Sequence, residues 1–182
     1  MMKKLKLEEL ERMDQQTFKN AAKSNIVLLL DNVRSALNIG SAFRTADAFR
    51  IEQICLCGIC AKPPHKEISK TAIGATHSMD WIYMDNTLKA IQHYKDKGYK
   101  IIAVEQVIES TMLHQADFKP NEKIVLVFGN EVMGVDQKVM DMVDGCIEIK
   151  QFGTKHSLNI SVSIGITLWK VHQMISPDWY AT

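Results

Sequence analysis

The sequence predicts an α/β domain with a mainly parallel sheet flanked by helices. Three observations lead there. Short, continuous apolar runs recur along the chain, as strands buried on both faces of a parallel sheet require. Stretches with helical spacing stand between them, the alternation that builds strand–helix–strand units. At 182 residues the chain is long enough to bury one core, and no apolar run reaches membrane-spanning length.

Taken in order, residues 3–22 read as a charged helix with Leu7, Leu10 and Phe18 as its apolar positions, so residues 1–24 form an N-terminal helical extension. The domain proper then covers residues 25–182. Asn25-Ile-Val-Leu-Leu-Leu30 is the first strand, followed by a polar turn and a helix over 41–49 with Phe43 and Ala46 inward. Residues 51–59 give a second strand. The stretch 61–78, with Lys62, Pro63, Pro64, His65, Lys66 and Lys70, is a long polar and basic excursion, and such loops tend to be functional or mobile. Residues 81–84 form a third strand and 88–97 a helix stopped by Gly98. Further strands fall at 99–104, 123–128 and 145–149, with a helix over 135–143. The segment 152–170 places apolar residues at every second position from Leu158 to Leu168, but a strand of that length is unusual. Leu158, Val162, Ile166 and Trp169 also make one helical face, while Ser161 and Gly165 make another that lets a backbone come close. A helix capped by Ser157 is therefore expected.

The formal net charge of +1 supplies no global field, so a polyanionic partner must be met by a local patch. The start Met-Met-Lys-Lys-Leu-Lys lacks the apolar centre of a signal peptide, and a cytoplasmic location is expected. Cys55, Cys57 and Cys60 lie in one apolar run and read as buried strand thiols. No second pair at ligand spacing accompanies Cys57-x-x-Cys60, and Cys146 stands apart, so no metal is expected.

Ligands of open parallel sheets bind beyond the carboxyl ends of the strands. Three loops qualify, after Leu30, after Phe128 and after Ile149. The second, Gly129-Asn-Glu-Val-Met-Gly134, has the glycine spacing of half a phosphate loop, yet Val135-Asp136 stands where Lys-Ser or Lys-Thr would be needed. No Gly-x-Gly-x-x-Gly follows any strand. A backbone-lined glycine loop remains, holding one carboxylate, Glu131, which taken by itself reads as a helix N-terminal cap. The first loop carries Asn38-x-Gly40-x-x-x-Arg44, where Arg44 suits a phosphate fork as well as a surface salt bridge.

Taken together, Asn38-x-Gly40-x-x-x-Arg44, then Gly129-Asn-Glu-x-x-Gly134, then Gly153-x-x-x-Ser-Leu-Asn159, each after an expected strand, resemble the SpoU (TrmH-like) branch of the SPOUT RNA methyltransferases. The resemblance runs from about Asn25 to His172. It implies the SPOUT fold with a deep trefoil knot at the C-terminal end, S-adenosylmethionine as cofactor, and a homodimer whose sites lie at the subunit interface, with no metal and no membrane. The resemblance assigns the cofactor contacts to Val104, Gly129, Ile149 and Leu158, and the reacting site to Asn38, Arg44, Glu131, Ser157 and Asn159. The implied reaction is methyl transfer to a ribose 2′-hydroxyl of RNA, with tRNA expected first, at a D-loop guanosine, and rRNA second. A non-catalytic RNA-binding dimer of the same fold is the alternative from another class. RNA would be gripped by Arg34, Arg50, Lys62, His65, Lys66, Lys70, Lys155 and His156. One departure stands out: Lys150 replaces the proline usual before the third motif.

Overall fold

The structure, a computed structural model, describes residues 2–181, with Leu7 described by its backbone only. The strands are Ser24–Asp31 (β1), Ile51–Cys57 (β2), Trp81–Met84 (β3), Lys100–Val104 (β4), Thr111–Met112 (β5), Ile124–Phe128 (β6) and Gly145–Glu148 (β7). They form one sheet in the order β3-β2-β1-β6-β4-β7-β5. Every pairing is parallel, so all carboxyl ends emerge at one edge. The central strands are buried on both faces, which is why they read as unbroken apolar runs. In β1, Ile26, Leu28 and Leu30 face one core layer while Val27 and Leu29 face the other. The first layer is closed by two helices, Ala36–Ala48 (α2) and Ile160–Ile175 (α7), and the second by Thr87–Asp96 (α5) and Gln137–Met140 (α6).

Four expectations need correction. Residues 3–22 do not form one helix: a 3-10 turn at Leu7–Leu10 is followed by α1, Gln15–Asn20. Asp14 accounts for the break, since its carboxylate accepts the Thr17 N–H at 2.9 Å as an N-cap, a position outside the helix it starts. The basic stretch 61–78 is not an open loop but contains α3, Lys66–Ala72, and α4, Ala75–Ser78. Ile68 and Ala72, one turn apart, bury α3 against α2. The helix expected over 135–143 shrinks to α6, started by Asp136 accepting the Lys138 N–H.

The fourth concerns α7. Its cap is Asn159, not Ser157, because the Asn159 amide oxygen accepts the Ser161 N–H at 2.8 Å. The helix buries Ile160, Ile164, Leu168, Val171 and Ile175. The face singled out by spacing points outward instead: Leu158, Val162, Ile166 and Trp169 are 37%, 49%, 40% and 54% exposed. Gly165 also faces open space within the chain.

At the opposite edge of the sheet, the C-terminal turn Pro177–Trp179 packs back. Tyr180 Oη lies 2.9 Å from His172 Nδ1, and the Arg50 guanidinium stacks over Trp179 at 3.9 Å. Arg50 immediately precedes β2 and so belongs to the amino edge, away from the site loops.

Candidate active site at the carboxyl edge

Three loops far apart in sequence meet beyond β1, β6 and β7. The 129–134 loop closes on itself through two backbone hydrogen bonds of 2.9 Å between Asn130 and Gly134. Gly129 is required there, because a Cβ would lie 2.1 Å from the backbone carbon of Gly134 and nitrogen of Val135. Asn130 holds the loop from inside. Its carboxamide oxygen accepts the N–H groups of Val132 and Met133, and its nitrogen donates to the Asn32 carbonyl at 2.8 Å.

Glu131 leaves that loop toward the start of α2. Its carboxylate accepts the backbone N–H groups of Arg34 and Ser35 at 2.9 and 3.0 Å and the Asn38 side-chain amide at 3.1 Å. Burial pushes this carboxyl up, but the Arg34, Asn38 and Ser35 donors outweigh it and hold the group below its ordinary value. The anion also sits at a helix N-terminus, where backbone dipoles favour it.

The network has one direction. Since a carboxylate only accepts, Asn38 must turn its N–H to Glu131 and its oxygen away. That oxygen accepts the Asn159 amide N–H at 3.3 Å. Asn159 in turn offers its own oxygen to Ser161 at the start of α7. Glu131, Asn38 and Asn159 thus tie the 129–134 loop, α2 and α7 together across 93 and 121 residues of chain.

Beside this chain lies a cleft of about 510 Å³, within the size range of small-molecule sites. Val104, Gly129, Ile149 and Leu158 all line it, as do Glu131, Ser157 and Asn159. Arg44 stands apart. It is six residues beyond Asn38 on α2, about 240° around the helix axis, on the exposed face with Leu37 and Ser41, and its side chain enters none of the side-chain hydrogen bonds or ion pairs among the described residues.

Three lining residues escaped the sequence reading. The Glu105 carboxylate accepts the Val135 and Gln106 N–H groups at 3.0 and 2.8 Å and packs against Gly134. Gln106 donates to the His156 carbonyl at 2.8 Å, fastening the 150–159 segment over the cleft. Asn130 was visible only as a member of a glycine loop; asparagine in such a turn is a signal for side-chain-to-backbone bonding. Gly40 serves packing: a Cβ there would meet the α3 side chain of Thr71 at 2.1 Å and the Ile68 carbonyl at 2.4 Å.

Residues 25–169 match the SpoU rRNA Methylase family. The chain belongs to that family. Among curated relatives, a tRNA (guanosine(18)-2'-O)-methyltransferase of Aquifex aeolicus is 29% identical over 153 residues, covering 82% of this chain and 69% of the relative. The 23S rRNA (guanosine-2'-O-)-methyltransferase RlmB of Neisseria meningitidis is 28% identical, covering 82% and 58%. In fold, the A. aeolicus TrmH/SpoU tRNA modifying enzyme superposes with a TM-score of 0.76 at 25% identity, over 88% of this chain and 79% of that one. The AdoMet-bound rRNA methyltransferase of Sinorhizobium meliloti gives 0.76 at 25%, over 86% and 59%. This SpoU chain therefore spans between roughly three-fifths and four-fifths of the length of these relatives.

The cleft of this family member fits a nucleoside-bearing methyl donor. Its walls are apolar at Val104, Ile149 and Leu158, suited to a flat base, and Gly129 leaves main chain bare for close approach. Among the described residues no group of His, Cys, Asp and Glu is placed to hold a metal ion, and no helix is long and apolar enough to cross a membrane.

Proposed function

We propose that this chain is an S-adenosylmethionine-dependent RNA methyltransferase that acts as a homodimer on a ribose 2′-hydroxyl, with tRNA the first expected substrate and a D-loop guanosine its target. The observation that carries the proposal is the hydrogen-bonded series Glu131–Asn38–Asn159, which joins the three motif loops beside the cleft. The cofactor supplies a methyl group already activated on a sulfonium. The protein's task is alignment and charge management. Val104, Gly129, Ile149 and Leu158 hold the donor, largely by main chain and apolar contact. Asn38, Asn159 and Glu131 fix the relative position of the loops, with Ser157 at the rim. Arg44, always protonated, grips the phosphate beside the acceptor and stabilises the oxygen as it loses its proton to that phosphate or to water.

Arg44 points away from its own chain's cluster, and it serves the site of the twofold mate. Support comes from α7: an apolar strip of Leu158, Val162, Ile166 and Trp169, with open Gly165, lies exposed beside α2, which carries Leu37 and Arg44. A second copy covers that strip. The trefoil knot belongs to the same reading. Its support is the passage of residues 148–160 alongside the 129–134 loop in one cleft wall. Residues 25–182 make the catalytic domain and 1–24 the extension. Arg34, Lys62, His65, Lys66, Lys70, Lys155 and His156 supply phosphate contacts that position RNA without reading sequence.

The test is incubation with methyl-labelled S-adenosylmethionine and total RNA from cells lacking the protein, followed by mass-spectrometric mapping. Label on a ribose of tRNA is expected, and label on rRNA would replace only the substrate. No cofactor binding by calorimetry and no labelled RNA would overturn the proposal in favour of a non-catalytic RNA-binding dimer.

A further inference from the structure

A second concavity, about 600 Å³, lies behind the cleft wall and shares Ile149 with it. Leu113 and Ile149 contribute apolar surface, with Ile166 at the edge of the α7 strip assigned above to the second copy; Lys150, Lys170 and His114 surround the groove, and Phe152 stands at its side. Two features lack an explanation within the chain. Phe152 is 88% exposed, an unusual position for a large apolar ring, and it is neighboured by the Lys150 ammonium at 5.6 Å from the ring centroid. Lys150 and Lys170 also have no ion-pair partner among the described residues.

We propose that this groove is a second RNA subsite, which takes an unstacked nucleobase on the face of Phe152 and the adjoining phosphate between Lys150 and Lys170. The proposal rests on the RNA methyltransferase reading and adds to it where this RNA is held outside the reacting site. Charge complementarity selects the occupant. Two ammonium groups without ion-pair partners, lining one groove with an aromatic ring, match a nucleotide, whose base offers a π-face and whose phosphate offers a full negative charge. An apolar protein partner would leave both lysines desolvated and unpaired, at a cost. Every base has such a face, so the subsite adds affinity without reading sequence. It also gives a role to Lys150: a proline there would remove a cation from the groove.

Fluorescence anisotropy with a labelled single-stranded oligouridylate, and with bulk tRNA, tests this on the full chain, alongside calorimetric titration of S-adenosylmethionine and sedimentation for oligomeric state. Phe152→Leu should weaken RNA binding about ten-fold, since one stacked base typically contributes that much or more, while Phe152→Trp should bind like the parent. Lys150→Ala with Lys170→Ala should lower the slope of log affinity against log salt by about 0.7, for the one single-strand phosphate the two lysines share. Cofactor affinity and oligomeric state should stay unchanged in all variants. If the parent binds cofactor and methylates RNA but the variants keep its RNA affinity and salt slope, the subsite is refuted and the enzyme reading stands. If Phe152→Leu changes the oligomeric state, the groove is a contact between copies and the proposal fails. If the parent neither binds cofactor nor methylates RNA, the reading beneath it fails as well.

Discussion

Replacing Glu131 by Gln puts the hydrogen-bonded series to its most direct test. The carboxylate accepts three hydrogen bonds of 2.9–3.1 Å. Bonds to a charged acceptor are worth about 1.5–3 kcal/mol each when protected, but Glu131 is an exposed residue and solvent screens much of that. The carboxamide keeps one accepting oxygen and turns an N–H toward donors. A net loss of about 1–2 kcal/mol follows, which for a chain of this size lowers Tm by about 2–8 °C. The loss also has a signature in pH. Because the donors hold the folded-state carboxyl below its ordinary value, the unfolded chain binds the proton more readily. The stabilisation is complete above the unfolded value of about 4.3 and disappears as pH falls through the folded one. Glutamine does not titrate. The Tm gap between parent and variant should therefore be widest near neutrality and close in acid, as read by calorimetry from pH 7 down to about 3. A double-mutant cycle with Asn38→Ala should show coupling of about 0.5 kcal/mol or more. A gap that is absent at neutrality, or that is the same at every pH, would refute the account.

Three further outcomes follow from the same geometry. Arg44→Ala should leave S-adenosylmethionine affinity within about two-fold of the parent while removing most turnover, because Arg44 touches nothing in its own cleft and is assigned to charge stabilisation, where loss of one such group costs about 10²–10³ in rate; full activity would remove it from the mechanism. Gly129→Ala should abolish cofactor binding by calorimetry and lower Tm, since the added carbon meets main-chain atoms of Gly134 and Val135 that cannot step aside; unaltered binding would show slack in the loop. Val162→Glu puts a charge in the exposed strip of α7 and should yield a folded monomer by sedimentation, with turnover lost together with the partner's Arg44; a dimer with parental activity would place the subunit contact elsewhere.

Much of the sheet was legible because its physics is local. A strand covered on both faces has no polar alternate positions, so Ile26 to Leu30 and Ile124 to Phe128 announce themselves. α3 was not legible: Lys62, Pro63 and Pro64 just before it give the stretch the look of a basic loop, and within Lys66–Ala72 only Ile68 and Ala72 carry the helical signal. In α7 two apolar faces compete in one sequence. Spacing exposed one of them, and only tertiary packing reveals that the chain buries Ile164, Leu168 and Val171 and leaves Val162 and Trp169 outside. At the site, Asn38, Glu131 and Asn159 could be found because their residue types recur in ordered motifs. Glu105, Gln106 and Asn130 could not, because their partners are main-chain groups that carry no residue identity.

The same accounting constrains chemistry. Glu131 is the carboxylate within the three motifs, yet its oxygens already accept three donors and its proton affinity is lowered by them. A group held ionised in that way is a weak general base. Its measurable work is to fix the start of α2 against the glycine loop, and through Asn38 and Asn159 to set where α7 begins. Two carboxamides and a serine can orient and donate but cannot take a proton at neutral pH. The acceptor's proton must then leave to a group outside this series. In the proposed function that group is the RNA phosphate gripped by Arg44, and an arginine facing away from its own cleft accords with a site completed by two chains.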